Sequence, residues 1–238
     1  MTLAFILPFT IALHLAYTGM RVTLSLFALH LDASPFTVGV LLSLLAFLPM
    51  TFSIALGRLI DRIGVRRPML AGAAALFAGI MVAAISPTLP ALFVTSCLGG
   101  SGFILYHIAV NYLAAVVGRP ENRAKNFSWL ALSFSTSGFL GPIVAGYAIE
   151  WVGYQQTMLL LAGFALATLI ALVAKRIEVP RVNFEQLIAD DPQLQRIGLR
   201  LIFTDPSAIY GIFPCCVNRH GESVLRAVFE QRQTGGRF

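Results

Sequence analysis

Along the first 176 residues, charge is almost confined to short intervals between long apolar stretches. Six such stretches follow one another, approximately Leu3 to Leu29, Phe36 to Leu56, Met69 to Ser86, Leu89 to Val117, Phe127 to Ile149 and Gln155 to Ala174. A hydrocarbon core about 30 Å thick takes roughly 20 residues of helix, and lipid offers the backbone no hydrogen-bond partners. Each stretch is therefore expected to cross a bilayer as a helix. The predicted fold class is all-α integral membrane, with six transmembrane helices and a short soluble C-terminal tail.

The distribution of charge divides the chain. Of the 28 charged residues, 14 lie in residues 1 to 176 and 14 in the last 62. The sequence thus predicts a membrane domain over 1–176 and a cytoplasmic tail over 177–238, the tail reading as an aberrant continuation of a truncated, longer protein. The N-terminus lacks the basic region and small-residue cleavage site of a secretory signal, so the first segment is expected to stay. The net charge of +6 invites a nucleic-acid partner. Its placement speaks against one, because residues 177 to 238 carry seven charges of each sign and the excess sits between apolar segments. Cys97, Cys215 and Cys216 have neither metal-ligand spacing nor the pattern of a disulfide framework, and no cofactor or metal site is expected.

Orientation follows from the connections. Arg58, Arg62, Arg66 and Arg67 follow the second stretch, Arg119, Arg123 and Lys125 the fourth, and Lys175 and Arg176 the sixth; the alternate connections carry no Lys or Arg. Basic residues are retained on the cytoplasmic side, which predicts an inner-membrane protein with both termini inside the cell. The spans are also rich in small residues, which let helices approach closely and favour a packed bundle over independent anchors.

Two motifs sharpen the class. Gly57 to Arg67 reads GRLIDRIGVRR, a charged connection with glycines near both ends that suit sharp turning. From charge alone it is a positive-inside turn. Its spacing resembles the signature between helices two and three of the major facilitator superfamily, matching at Gly57, Leu59, Asp61, Arg62, Gly64 and Arg66, with Val65 at a commonly basic position. The resemblance implies an amino-terminal six-helix half of a transporter, with Asp61, Arg62 and Arg66 as a conformational latch between halves. In the fifth stretch Gly138, Gly141, Pro142 and Gly146 resemble a glycine-proline signature of proton-coupled exporters, and their spacing is expected to serve helix packing. The buried arginine that proton-coupled members often carry in the fourth helix is replaced by Thr95, Ser96, Cys97, Leu98, Gly99.

Ionisable groups inside a span cost several kcal/mol unless they face protein or water. Thr10, His14, Tyr17, Arg21 and Ser25 recur at intervals of 4, 3, 4 and 4 and share one helical stripe, expected to face the bundle interior. Arg21 lies about eight residues from the span end, roughly 12 Å deep, and needs either an anionic solute or structural carbonyl partners. His107 and Asn111 share a face of the fourth span, at a depth where His107 can meet His14. Histidine could relay a proton there, or simply pack. Trp129, Trp151 and Tyr154 read as an interfacial belt.

The function expected is secondary transport of an unidentified small solute by alternating access, possible in either direction. Partners implied are membrane lipid, the solute and a second six-helix half, supplied by a homodimer or missing. The alternative is a non-transporting remnant or membrane scaffold. A membrane enzyme is not supported, since the four acidic residues of the first 176, Asp32, Asp61, Glu121 and Glu150, sit at loops or span ends.

Overall fold

A computed structural model describes residues 2–116 and 122–174. The cytoplasmic tail expected over residues 177–238 lies outside the described residues. The described chain is helical throughout, with α1 Thr2–His30, α2 Pro35–Ile63, α3 Arg66–Ile85, α4 Leu89–Val116 and α5 Arg123–Val173. Among the described residues, α1, α3, α4 and α5 are long and apolar enough to cross a membrane, and within α2 the stretch Pro35–Phe47 is apolar as well.

The connections explain how so short a chain packs antiparallel neighbours. Between α1 and α2, Asp32 takes a left-handed backbone (φ 57°), and Ser34 caps α2 by accepting a hydrogen bond from the Thr37 amide at 3.2 Å. Pro35 follows at the first helical position, where a missing amide hydrogen costs nothing. Between α2 and α3 the chain turns at Gly64 (φ 78°), whose amide donates to the Ile60 carbonyl. The expectation of a loop beginning at Gly57 is therefore corrected. Arg58, Asp61 and Arg62 belong to the last turns of α2, because a helix can run on beyond the lipid and bring its charged residues with it.

α5 is 51 residues long but is not one rod. At Gly153 the backbone leaves the helical region (φ 81°, ψ 176°), a conformation that strains any side chain. The chain reverses there. Ser137, before the break, donates to the Ile11 carbonyl of α1 at 3.2 Å, and Thr168, after it, donates to the Phe9 carbonyl at 3.0 Å. Tyr154, immediately beyond Gly153, lies instead at the far end of α1, stacked on Phe27 and His30 at 5.1 and 4.7 Å. The segments 123–152 and 154–173 thus form a hairpin that flanks α1 on two sides. The break falls between the fifth and sixth predicted stretches and reduces their connection to a single residue.

Glycines set the tightest seams. A Cβ on Gly72 of α3 would fall 2.6 Å from the Gly102 carbonyl oxygen of α4, and one on Gly102 would fall 2.6 Å from the Leu76 amide nitrogen. Thr95 of α4 donates to the Gly79 carbonyl of α3 at 2.7 Å. On the other face of α4, a Cβ on Gly100 would meet the Leu45 carbonyl of α2 at 2.6 Å. Such backbone-to-backbone approach is how helices associate where lipid tails are as apolar as the side chains.

Candidate functional site

α1 and α4 run antiparallel, and their polar residues meet in register. The Thr10 and Tyr106 hydroxyls are 3.1 Å apart, both buried. One turn further along α1, the His14 ring lies 6.3 Å from that of His107, and Phe103 of α4 and Phe134 of α5 close the group. Ring centroids are 5.1 Å from His14 to Phe103, 4.8 Å from His14 to Phe134, 5.3 Å from Phe103 to His107 and 4.5 Å from His107 to Phe134. Tyr17 lies flat on Phe103 at 3.7 Å with 2° between the rings. The outcome is an aromatic quartet around two imidazoles, extended toward the end of α1 by a stacked pair.

The polar edges of the imidazoles are the unusual part. Nδ1 of His14 and Nδ1 of His107 are both buried and have no hydrogen-bond partner. An unpaired polar atom away from water costs about 1–3 kcal/mol. Asn111 does not relieve it. Its amide donates instead to the His107 carbonyl at 2.8 Å, one turn back on its own helix.

The stripe expected on α1 is present but does not lie wholly inside. Thr10 is buried, and His14 and Tyr17 are half-buried. Arg21 is exposed, which corrects the expectation that it faces the interior of this bundle, and it forms no hydrogen bond or ion pair with any described side chain. Ser25 hydrogen-bonds back to the Val22 carbonyl at 2.9 Å. The physical reason is the position of the neighbours. α4 and α5 cover the stripe around His14, and beyond Tyr17 no described element covers it.

Of the four glycine-proline positions only Gly141 makes the close approach expected. A Cβ there would collide with Thr18 Oγ1, which itself donates to the Ser137 carbonyl at 3.0 Å. Gly138 and Gly146 are exposed, and a Cβ on either would meet nothing within 4 Å, so their packing role within this unit is withdrawn. Pro142 lies inside the helix between them. A groove of about 240 Å³ opens nearby between α1 and the first turns of α5, lined by Leu7, Pro8, Ile11, Trp129, Ser133 and Thr136 among others.

At the basic end of the bundle, Arg66 opens α3 and donates from Nη2 to the Leu172 carbonyl, in the last turn of α5, at 3.1 Å. A guanidinium against a helix C-terminus is favoured by the helix dipole. Its Nε is buried without an acceptor. Gly57, Asp61 and Arg62 are placed only as backbone in α2; their side chains lie outside the described residues. Trp129 and Trp151 are exposed, the latter at 75%, whereas Tyr154 packs on Phe27 and His30 rather than in a belt. Phe103 and Phe134 escaped the sequence reading. A signal was available in their spacing, since Phe103 precedes His107 by four, and Phe134 lies three and seven before Ser137 and Gly141.

No three His, Cys, Asp or Glu side chains converge on a metal-sized site among the described residues. Apolar helices joined by short turns, with imidazoles and aromatic rings gathered between them, define an integral membrane bundle of the transporter kind. The Major Facilitator Superfamily model matches residues 6–219, and the chain belongs to that family. The match reaches beyond residue 176, the end of the membrane domain expected from the sequence.

Relatives agree. The chain is 33% identical to the inner membrane transport protein YajR of Escherichia coli K12 over 129 residues, which is 50% of this chain and 28% of that protein. It is 31% identical to the class B tetracycline resistance protein of Escherichia coli over 112 residues, 47% of this chain and 28% of that one. Among solved structures, a variant of peptide transporter POT in complex with alafosfalin superposes with a TM-score of 0.66 at 22% identity, over 87% of this chain and 45% of that chain. A POT family transporter in complex with a thioalcohol-conjugated peptide gives 0.68 at 19%, over 87% and 46%. The alignments therefore cover 28% of each of these two curated relatives and just under half of the solved transporters. The structural likeness speaks to the fold.

Proposed function

We propose that the chain forms the amino-terminal half of a secondary transporter, crossing the inner membrane six times with both termini in the cytoplasm, and moves a small solute by alternating access. The single observation that carries this reading is the pair of buried, unpaired imidazole Nδ1 atoms within a half-covered ring cluster. A polar face at that depth is tolerated only against water, a solute or another protein segment. Exposed Arg21 on the same stripe makes the same demand. In this reading His14, Tyr17, Arg21, His107 and Asn111 line one wall of the central cavity, and a second six-helix half supplies the other.

The six-crossing topology draws support from the Gly153 hairpin and from the grouping of basic residues at one end, where Arg66 meets the last turn of α5. Asp61, Arg62 and Arg66 are assigned the latch between halves. Asp61→Asn is expected to slow turnover in reconstituted vesicles more than it lowers membrane insertion; equal turnover of variant and parent would remove the latch. The inner membrane as location follows the character of YajR and the positive-inside pattern.

Cavity and mechanism are tested together by labelling. With the three native cysteines replaced by serine, a cysteine at position 107 should react with a membrane-impermeant thiol reagent from either face, in right-side-out and inverted vesicles. Protection from both faces in folded, inserted protein would refute the cavity. The alternative is a non-transporting membrane module; the chain spans only part of each relative cited. Cross-linking in native membranes separates the two: a dimer or a partner half fits transport, and an isolated monomer fits the module.

A further inference from the structure

We propose that the solute is a planar aromatic anion, its ring held against the Tyr17–Phe103–Phe134 surface and its carboxylate or equivalent acidic group on Arg21; this rests on the cavity reading above. Three observations lead to it. The first is the density of rings. Tyr17, Phe103 and Phe134, with the two imidazoles, gather flat rings from three helices into one half-buried cluster, in which Tyr17 and Phe103 already stack in parallel. Offset or edge-on packing with ring centres about 4.5–7 Å apart gives an added aromatic ring a preference over an aliphatic one of equal area.

The second observation is the sign of the charge. Arg21 follows Tyr17 by one helical turn, about 6 Å along the axis, and lies on the same stripe. Its guanidinium is the only full charge on that stripe and has no described partner. The acidic residues whose side chains are described, Asp32 after α1 and Glu150 just before the Gly153 break, are exposed, so among the described side chains no carboxylate stands by to neutralise a cationic solute. A low-dielectric cavity whose fixed charge is a lone arginine selects an anion, and the planar guanidinium fork suits a carboxylate.

The third is the pair of Nδ1 atoms of His14 and His107, buried within the cluster and unpaired, which a hydroxyl or ring nitrogen of a solute inserted among the rings would satisfy. The separation suits a small molecule. From the Tyr17–Phe103 stack to Arg21 is one turn of helix, the span from the ring centre of a fused bicyclic acid to its carboxylate.

The test uses the full chain, purified in detergent, and three probes of similar size. 2-Naphthoate is expected to bind roughly tenfold tighter than cyclohexanecarboxylate, which keeps the charge without the ring, and than 2-naphthylmethylamine, which keeps the ring and inverts the charge. Arg21→Gln should weaken 2-naphthoate about ten- to a hundredfold, with Arg21→Lys recovering part of the loss. Phe134→Leu should weaken 2-naphthoate while leaving cyclohexanecarboxylate unchanged. The proposal is overturned if the amine binds as well as the acid, if the saturated acid binds as well as the aromatic one, or if Arg21→Gln has no effect. No saturable binding of 2-naphthoate up to about 10 mM also overturns it. If that happens while position 107 still labels from both faces, the solute class falls and the cavity stands; if both fail, the cavity falls as well.

Discussion

The two faces of α4 are built on opposite principles. Toward α3 it presents Gly102, with Thr95 donating across to the Gly79 carbonyl, and the backbones touch. Toward α1 and α5 it presents Phe103 and His107, large rings at 3.7–6.3 Å from their neighbours, with a polar nitrogen left unpaired. The first face has no room for one further carbon atom. The second keeps polar and aromatic groups that tight packing would have eliminated. A helix that must hold one neighbour rigidly and offer another surface for work divides these tasks between its sides, and residues one position apart, Gly102 and Phe103, belong to different tasks.

Substitutions can break or sharpen this contrast. The largest effect is expected at the glycine seam. Gly102→Val would drive methyl groups into the Leu76 amide and the Gly72 carbonyl, neither of which can yield without moving a helix, at a cost of about 3 kcal/mol or more. Loss of the monodisperse peak in detergent size exclusion would show it, and an unchanged profile would mean that the seam is looser than described. Next comes Gly141→Ala, expected to cost about 1–3 kcal/mol through Thr18 Oγ1. Combining it with Thr18→Ala should recover part of that loss in thermal unfolding, but not all, because Thr18 Cβ itself would lie 2.9 Å from the new carbon.

Arg66→Ala removes a charge-assisted bond to the Leu172 carbonyl and is expected to cost about 1–2 kcal/mol, with Arg66→Lys in between. A melting temperature identical to the parent would leave Arg66 free for the latch alone. The smallest effect belongs to Gly138→Ala, expected within about 0.5 kcal/mol of the parent, since its new carbon meets nothing. A large loss there would place Gly138 against a surface outside the described unit, and would sharpen the distinction between glycines that pack within this half and glycines that do not.

Much of the helical layout was legible in the sequence because membrane helices announce themselves by length and apolarity. What the composition could not show was where charge stops marking a loop. Arg58, Asp61 and Arg62 looked like a turn and prove to be helix, since backbone hydrogen bonding continues past the lipid wherever no residue forbids it. The meeting of His14 with His107 followed from depth and spacing. Their ring neighbours did not, because Phe103 and Phe134 in an apolar run carry no mark separating a cavity wall from a lipid contact. Glycine faced the same ambiguity: Gly138, Gly141 and Gly146 are chemically equal in the sequence, and only the position of α1 makes Gly141 different.

Gly153 has a bearing on biosynthesis. With the single residue Gly153 joining residues 152 and 154, neither arm of the hairpin has slack to choose its own direction, so the two are oriented as a pair. Whichever way the first arm threads the bilayer dictates the return of the second. A topology reporter spliced in at this point would disturb what it was meant to measure, whereas the Leu31 to Ser34 turn has residues that could accommodate one.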